Sequence, residues 1–180
     1  MRLLYQLAKP LATLPVRVRG IRFEGAEHIP NSGPVILAGG NHQSNLDPLA
    51  LGLITGRVVH YMAKKELFAN PLIAAVLRGV EAFPVDRQSK MDLSAIRKAL
   101  QVLEEGEVLG IFPQGTRGGT ALLGGVAYLA IKGKAPVVPV WIAHDRRWKL
   151  SALPAIPPRG SVQEVAAQIE AVIGAGRLPS

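Results

Sequence analysis

His42 and Asp47 lie five positions apart in the stretch GGNHQSNLDP. Histidine is the side chain whose ordinary titration straddles neutral pH, so a neutral imidazole can take the proton of an attacking hydroxyl. A carboxylate on its other ring nitrogen selects the tautomer and stabilises the imidazolium that forms. Such a pair needs no nucleophile of its own when a second substrate's hydroxyl attacks directly. On one helix the two side chains would point about 140° apart, so they meet only across a turn. The sequence supplies one. The apolar run PVILA ends at Ala38, two glycines permit close backbone approach, and Asp47-Pro48 reads as an N-cap followed by a first helical residue. His42 then sits at the open end of a sheet, where α/β proteins bind ligands. Asp47 as a plain helix cap is the competing reading, and the spacing alone does not separate the two.

Two further groupings suit an anion. VEAFPVDR puts Asp86 and Arg87 after a strand-like run. LGIFPQGTRGGT carries an apolar strand into Gln114, Gly115, Thr116 and Arg117. A glycine-rich turn exposes backbone N–H groups, and an arginine in it can fork onto a phosphate. A base with its orienter, plus arginines at other strand ends, is what transfer of an acyl group to a phosphorylated alcohol requires. Taken singly, either arginine reads as a surface ion-pair partner.

The elements that must position these residues alternate along the chain. Strands are expected near residues 16–23, 34–38, 58–63, 81–85, 108–112 and 137–142. Helices are expected near 48–54, 70–77, 90–105, 121–132 and 162–173. This alternation predicts an α/β fold with a mixed, mostly buried sheet flanked by helices. Ser161 and Glu164 form a capping box that opens the last helix. One domain over residues 1–180 is expected, with residues 16–142 as the motif-bearing core and 151–180 as a loop and C-terminal helix.

With Lys and Arg numbering 21 against 13 acids, the net charge is +8, a balance that favours anionic partners. Nucleic acid is a poor match, because aromatics are only 5% of the chain and no stacking platform or binding motif is visible. The absence of cysteine excludes disulfides and thiol nucleophiles. No His pair has ligand spacing, so no metal is expected. Residues 1–15 form a short amphipathic helix suited to a membrane interface, with docking on the domain as its alternative; Pro10 should bend or interrupt it. No apolar run is long enough to span a bilayer. His28, His60 and His144 read as structural. The cluster Asp145–Lys149 reads equally as a headgroup contact or a solvated loop.

In order, NHQSNLD, VEAFPVDR, FPQGTRG and APVVPVWI resemble the four motifs of the glycerolipid acyltransferases, typified by bacterial 1-acylglycerol-3-phosphate acyltransferase, and the resemblance covers roughly residues 16–142. It implies a glycerol-3-phosphate acyltransferase-like fold and transfer from acyl-CoA or acyl carrier protein to lysophosphatidic acid, giving phosphatidic acid without a cofactor. It also implies a peripheral, monotopic enzyme on the cytoplasmic face of the membrane. By the same resemblance His42 is the general base and Asp47 its partner. Lys64 (with Lys65 as a rival), Arg87 and Arg117 hold the acceptor phosphate, and Gln114, Gly115 and Thr116 shape the acceptor-site loop. Position 114 departs from the motif, which usually has Glu there. Gln keeps an acceptor and loses the charge. Two alternatives follow: an acyltransferase for another lysophospholipid or a lyso-aminolipid, or a non-catalytic membrane- or anion-binding relative.

Overall fold

The computed structural model describes residues 2–86, 92–113, 121–144 and 146–173. Among these, seven strands form one sheet: β1 (Ile21–Glu24), β2 (Val35–Gly40), β3 (Val59–Lys64), β4 (Ala82–Val85), β5 (Val108–Ile111), β6 (Val137–His144) and β7 (Trp148–Ala152). The order across the sheet is β1-β7-β6-β2-β5-β3-β4. The run from β6 to β4 is parallel throughout, and β7 pairs antiparallel with β6 and parallel with β1. The sheet is therefore mixed, as the alternation of elements predicts.

The central strand β2 is buried along its whole length. Its side chains divide by the two-residue period of a strand. Val35 and Leu37 face a core shared with α1 (Arg2–Val18) and α2 (Asp47–Leu51). Ile36 and Ala38 face the opposite core, built by α4 (Leu93–Glu104), α5 (Ala121–Lys132) and α6 (Val162–Ile173). A sheet covered on both faces explains why its strands read as continuous apolar runs.

Several expected boundaries move. The strand expected from residue 16 begins only at Ile21. Helix α1 runs on to Val18, with Val16 fully buried beneath it, and Gly20 turns the chain at φ 78°. Pro10 and Pro15 both lie inside α1 and do not end it. The Thr13 hydroxyl donates to the Lys9 carbonyl at 2.7 Å, a local bond that ties the turn carrying Pro10. Strand β7 falls where a loop was expected. Trp148 is buried and Lys149 pairs with Glu24 at 2.9 Å, so this part of the basic cluster is an inner strand of the sheet, between β1 and β6. The capping box of α6 forms as read: Ser161 N donates to Glu164 Oε2 at 2.7 Å and Glu164 N to Ser161 Oγ at 3.2 Å.

At the edge where the parallel strands begin, Arg57 ties three segments together. Its guanidinium donates to the carbonyls of Pro30 (2.9 Å), Gly33 (2.6 Å) and Gly106. Arg57→Met leaves those partly buried carbonyls without a charged donor. It should lower the unfolding free energy in urea by about 3 kcal/mol.

Candidate active site

The five parallel strands end at one edge, at Gly40, Lys64, Val85, Ile111 and His144. Just past β2 the chain turns sharply. Asn41 adopts a left-handed backbone (φ 59°), a conformation asparagine tolerates better than most residues. Its side-chain amide donates to the Ile142 carbonyl at 3.0 Å, which ties this turn to β6. His42 follows, and its Nδ1 lies 2.8 Å from Asp47 Oδ2.

Asp47 is fully buried, whereas His42 is about a quarter exposed (23%). A buried carboxylate is costly unless its lone pairs are met. Here the backbone N–H groups of Gln43 and Ser44 donate to Oδ2 at 2.8 and 2.7 Å, alongside His42. Oδ1 meets His144 Nε2 at 2.7 Å. Against an acceptor-only carboxylate, His42 must carry its proton on Nδ1. That leaves Nε2 as the nitrogen able to accept one. Burial pushes the Asp47 carboxyl up, but the bonds from His42, Ser44 and Gln43, with His144 nearby, together hold it below the ordinary carboxylate range.

The helix-capping reading of Asp47 is corrected by this geometry. Leu46 is the N-cap of α2, no side chain caps that helix, and Asp47 is its first residue. Both carboxylate oxygens turn back toward the loop and toward β6.

Phe112 completes the setting of His42. The two rings stack at a centroid distance of 4.4 Å and 28°. Gly39 makes room for this ring, since a Cβ there would lie 2.4 Å from Phe112 Cε1. The close approach foreseen at the glycine pair is thus an aromatic ring against backbone.

Of the other predicted residues, Lys64 ends β3 with its side chain exposed, beside Val85 in register. Lys65 instead pairs with Asp86. Arg87, Gln114, Gly115, Thr116 and Arg117 lie outside the described residues. His28 bonds to the Ala152 carbonyl at 3.1 Å and His60 lies 3.9 Å from Glu81, structural positions as expected. His144 does not fit that expectation, because it joins Asp47. A signal for it was present: Val138, Val140 and Ile142 alternate onto the α2 face of the sheet, and the same step of two reaches residue 144. Ending the strand at Ile142 hid it.

Comparison with known proteins places the chain among relatives. The family model described as Acyltransferase matches residues 20–143. A 1-acyl-sn-glycerol-3-phosphate acyltransferase from Bacillus subtilis is 42% identical over 124 residues, covering 67% of this chain and 61% of the relative. One from Borreliella burgdorferi is 31% identical over 154 residues, covering 82% of this chain and 61% of the relative. The chain thus spans about three fifths of the length of each. The crystal structure of the 1-acyl-sn-glycerophosphate (LPA) acyltransferase PlsC from Thermotoga maritima superposes with a TM-score of 0.74 at 24% identity. The match covers 96% of this chain and 77% of that one, a likeness of fold.

Because the Asp47 carboxyl titrates below its ordinary value, its stabilising contribution is complete above the unfolded value near pH ~4 and disappears as acid protonates the folded carboxyl. Asp47→Asn should therefore cost about 2 kcal/mol of stability at pH 7. The gap from wild type should close below pH ~4, as read by chemical unfolding across that range.

Proposed function

The chain belongs to the acyltransferase family, and from that premise we propose that it transfers a fatty acyl group from a thioester donor, acyl-CoA or acyl carrier protein, to the free hydroxyl of 1-acylglycerol 3-phosphate. The observation that carries this reading is the His42–Asp47 contact of 2.8 Å at the open edge of the sheet, inside the segment the family model matches. His42 Nε2 accepts the proton as the acceptor oxygen attacks the thioester carbonyl. The new C–O bond forms, the C–S bond breaks, and the imidazolium returns its proton to the departing thiolate. Asp47 stabilises the imidazolium in between. The products are phosphatidic acid and a free thiol.

Lys64, Arg87 and Arg117 hold the acceptor's phosphate in this reading, with Gln114, Gly115 and Thr116 shaping its loop. Support comes from the VEAFPVDR and FPQGTRG stretches and from the sheet order, which brings the ends of β5, β3 and β4 successively outward from β2. Fixing the phosphate contributes by holding the hydroxyl in attacking position. Gln114 favours a second reading, in which the same chemistry serves another lysophospholipid or a lyso-aminolipid.

A lipid acceptor implies a membrane surface, and the molecule offers features for one. Among the described residues no helix is long and apolar enough to cross a bilayer. Leu11, Leu14 and Val18 on α1 share one helical face and stand exposed. Helix α3 (Pro71–Gly79), packed against α1, likewise leaves Leu72, Ile73 and Val76 in solvent. Arg17 and Arg78 lie in the last turns of these two helices, and the chain's excess of cations suits anionic lipid. We place the enzyme peripherally on the cytoplasmic face of the membrane.

Purified protein given a panel of acyl-CoA and acyl carrier protein donors should acylate lysophosphatidic acid, and His42→Ala should lower turnover on the order of 10³-fold. Equal rates with acceptors lacking a phosphate monoester would favour the second reading. Retained turnover in His42→Ala would refute the base assignment. The double change Leu72→Asp with Val76→Asp should weaken sedimentation with anionic vesicles at least tenfold while leaving the secondary structure unchanged.

A further inference from the structure

Asp47 is shared between two imidazoles, and the second is unaccounted for by the proton-transfer scheme above. We infer that His144 is a positioning residue: by donating to Asp47 Oδ1 it fixes the carboxylate plane so that Oδ2 stays aligned with His42. The inference rests on His42 acting as the base.

The geometry assigns this role in three ways. First, an ionised carboxylate has about four lone-pair sites. Three donors from residues 42–44 converge on Oδ2 alone, and His144 Nε2 at 2.7 Å supplies the contact at Oδ1. Second, donors on one oxygen leave rotation about the Cβ–Cγ bond weakly opposed, because terminal torsions to a planar carboxylate are broad. A donor on the other oxygen, from a separate strand, opposes it. Third, His144 is itself held. It is the last residue of β6, its ring tilts against the buried Trp148 at 4.1 Å, and the bond from Asn41 to the Ile142 carbonyl clamps the end of β6 to the loop that carries His42.

A neutral donor is sufficient for this role. Nε2–H points at Oδ1, so Nδ1 is the unprotonated nitrogen of the neutral ring. His144 touches neither the reacting hydroxyl nor the thioester in the scheme. Its effect is exerted through the angle at which the carboxylate meets the imidazolium, and small misalignments of catalytic groups cost large factors in rate.

The test compares His144→Ala, His144→Leu and His144→Gln with His42→Ala in the full chain. Steady-state kinetics use lysophosphatidic acid and an acyl-CoA of fixed chain length. Loss of the donor in the Ala and Leu variants should lower kcat about 10- to 100-fold with the acceptor KM changed less than about twofold. Gln, whose amide N–H reaches to a similar distance, should recover kcat to within about threefold of wild type. If His144→Ala does not fold, the Leu and Gln pair carries the comparison. Wild-type kcat in Ala or Leu, a loss as deep in Gln as in Leu, or an effect confined to KM would each overturn the inference. If His42→Ala is dead while the donor-free His144 variants are fully active, only this inference fails. If His42→Ala stays active, the reading beneath it fails as well.

Discussion

The site is organised around one buried negative charge. Asp47 lies at the start of α2 with no exposure, and such a charge persists in a protein interior only where donors meet it from several sides. Four donors do so here, from the loop just before it and from the end of β6. Two pieces of the fold place them. Asn41's left-handed turn bends the loop back so that the N–H groups of Gln43 and Ser44 and the ring of His42 converge on one oxygen. The pairing of β2 with β6 carries the second imidazole to the other. The geometry of His42 is thus inseparable from the solution the protein finds for solvating that carboxylate.

The same constraint explains the neighbourhood of His42. Its Nδ1 is committed to Asp47, and its ring stacks against Phe112 at the end of β5. Gly39 has no side chain because that aromatic ring occupies the space. One ring nitrogen is left for chemistry, and the ring plane is set by a residue that immediately precedes the stretch carrying Gln114 and Arg117.

Most of the architecture could be read from the residues, because a sheet covered on both faces writes itself as apolar runs and the intervening helices carry caps and periodic faces. Helices α5 and α6 and the capping box fell where the pattern put them. What the pattern missed was decided by tertiary contact. Val16 looked like strand because it is branched and apolar, yet it is buried as part of a helix. Residues 148–152 looked like loop because Arg146 and Arg147 lead into them and Lys149 follows, yet pairing with β1 on one side and β6 on the other makes them an inner strand. The histidine–aspartate pair was legible because it is local. The second carboxylate contact was not, since it joins positions that only the sheet brings together. Asp47 before Pro48 has every local mark of a helix cap, and only the competing donors around it assign its oxygens elsewhere.

His42 and Asp47 are five residues apart in the chain, whereas His144 is 97 residues beyond Asp47. The ribosome therefore makes the pair early and its distant anchor late. Parallel pairing of β2 with β5 and β6 joins segments far apart in sequence, and contacts of that kind form slowly. A nascent or partly folded chain already carries His42 and Asp47 yet lacks the strand that brings His144 to the carboxylate. The full set of contacts around Asp47 is consequently a property of the finished sheet, and a chain that stops short of β6 holds that carboxylate without the contact at Oδ1.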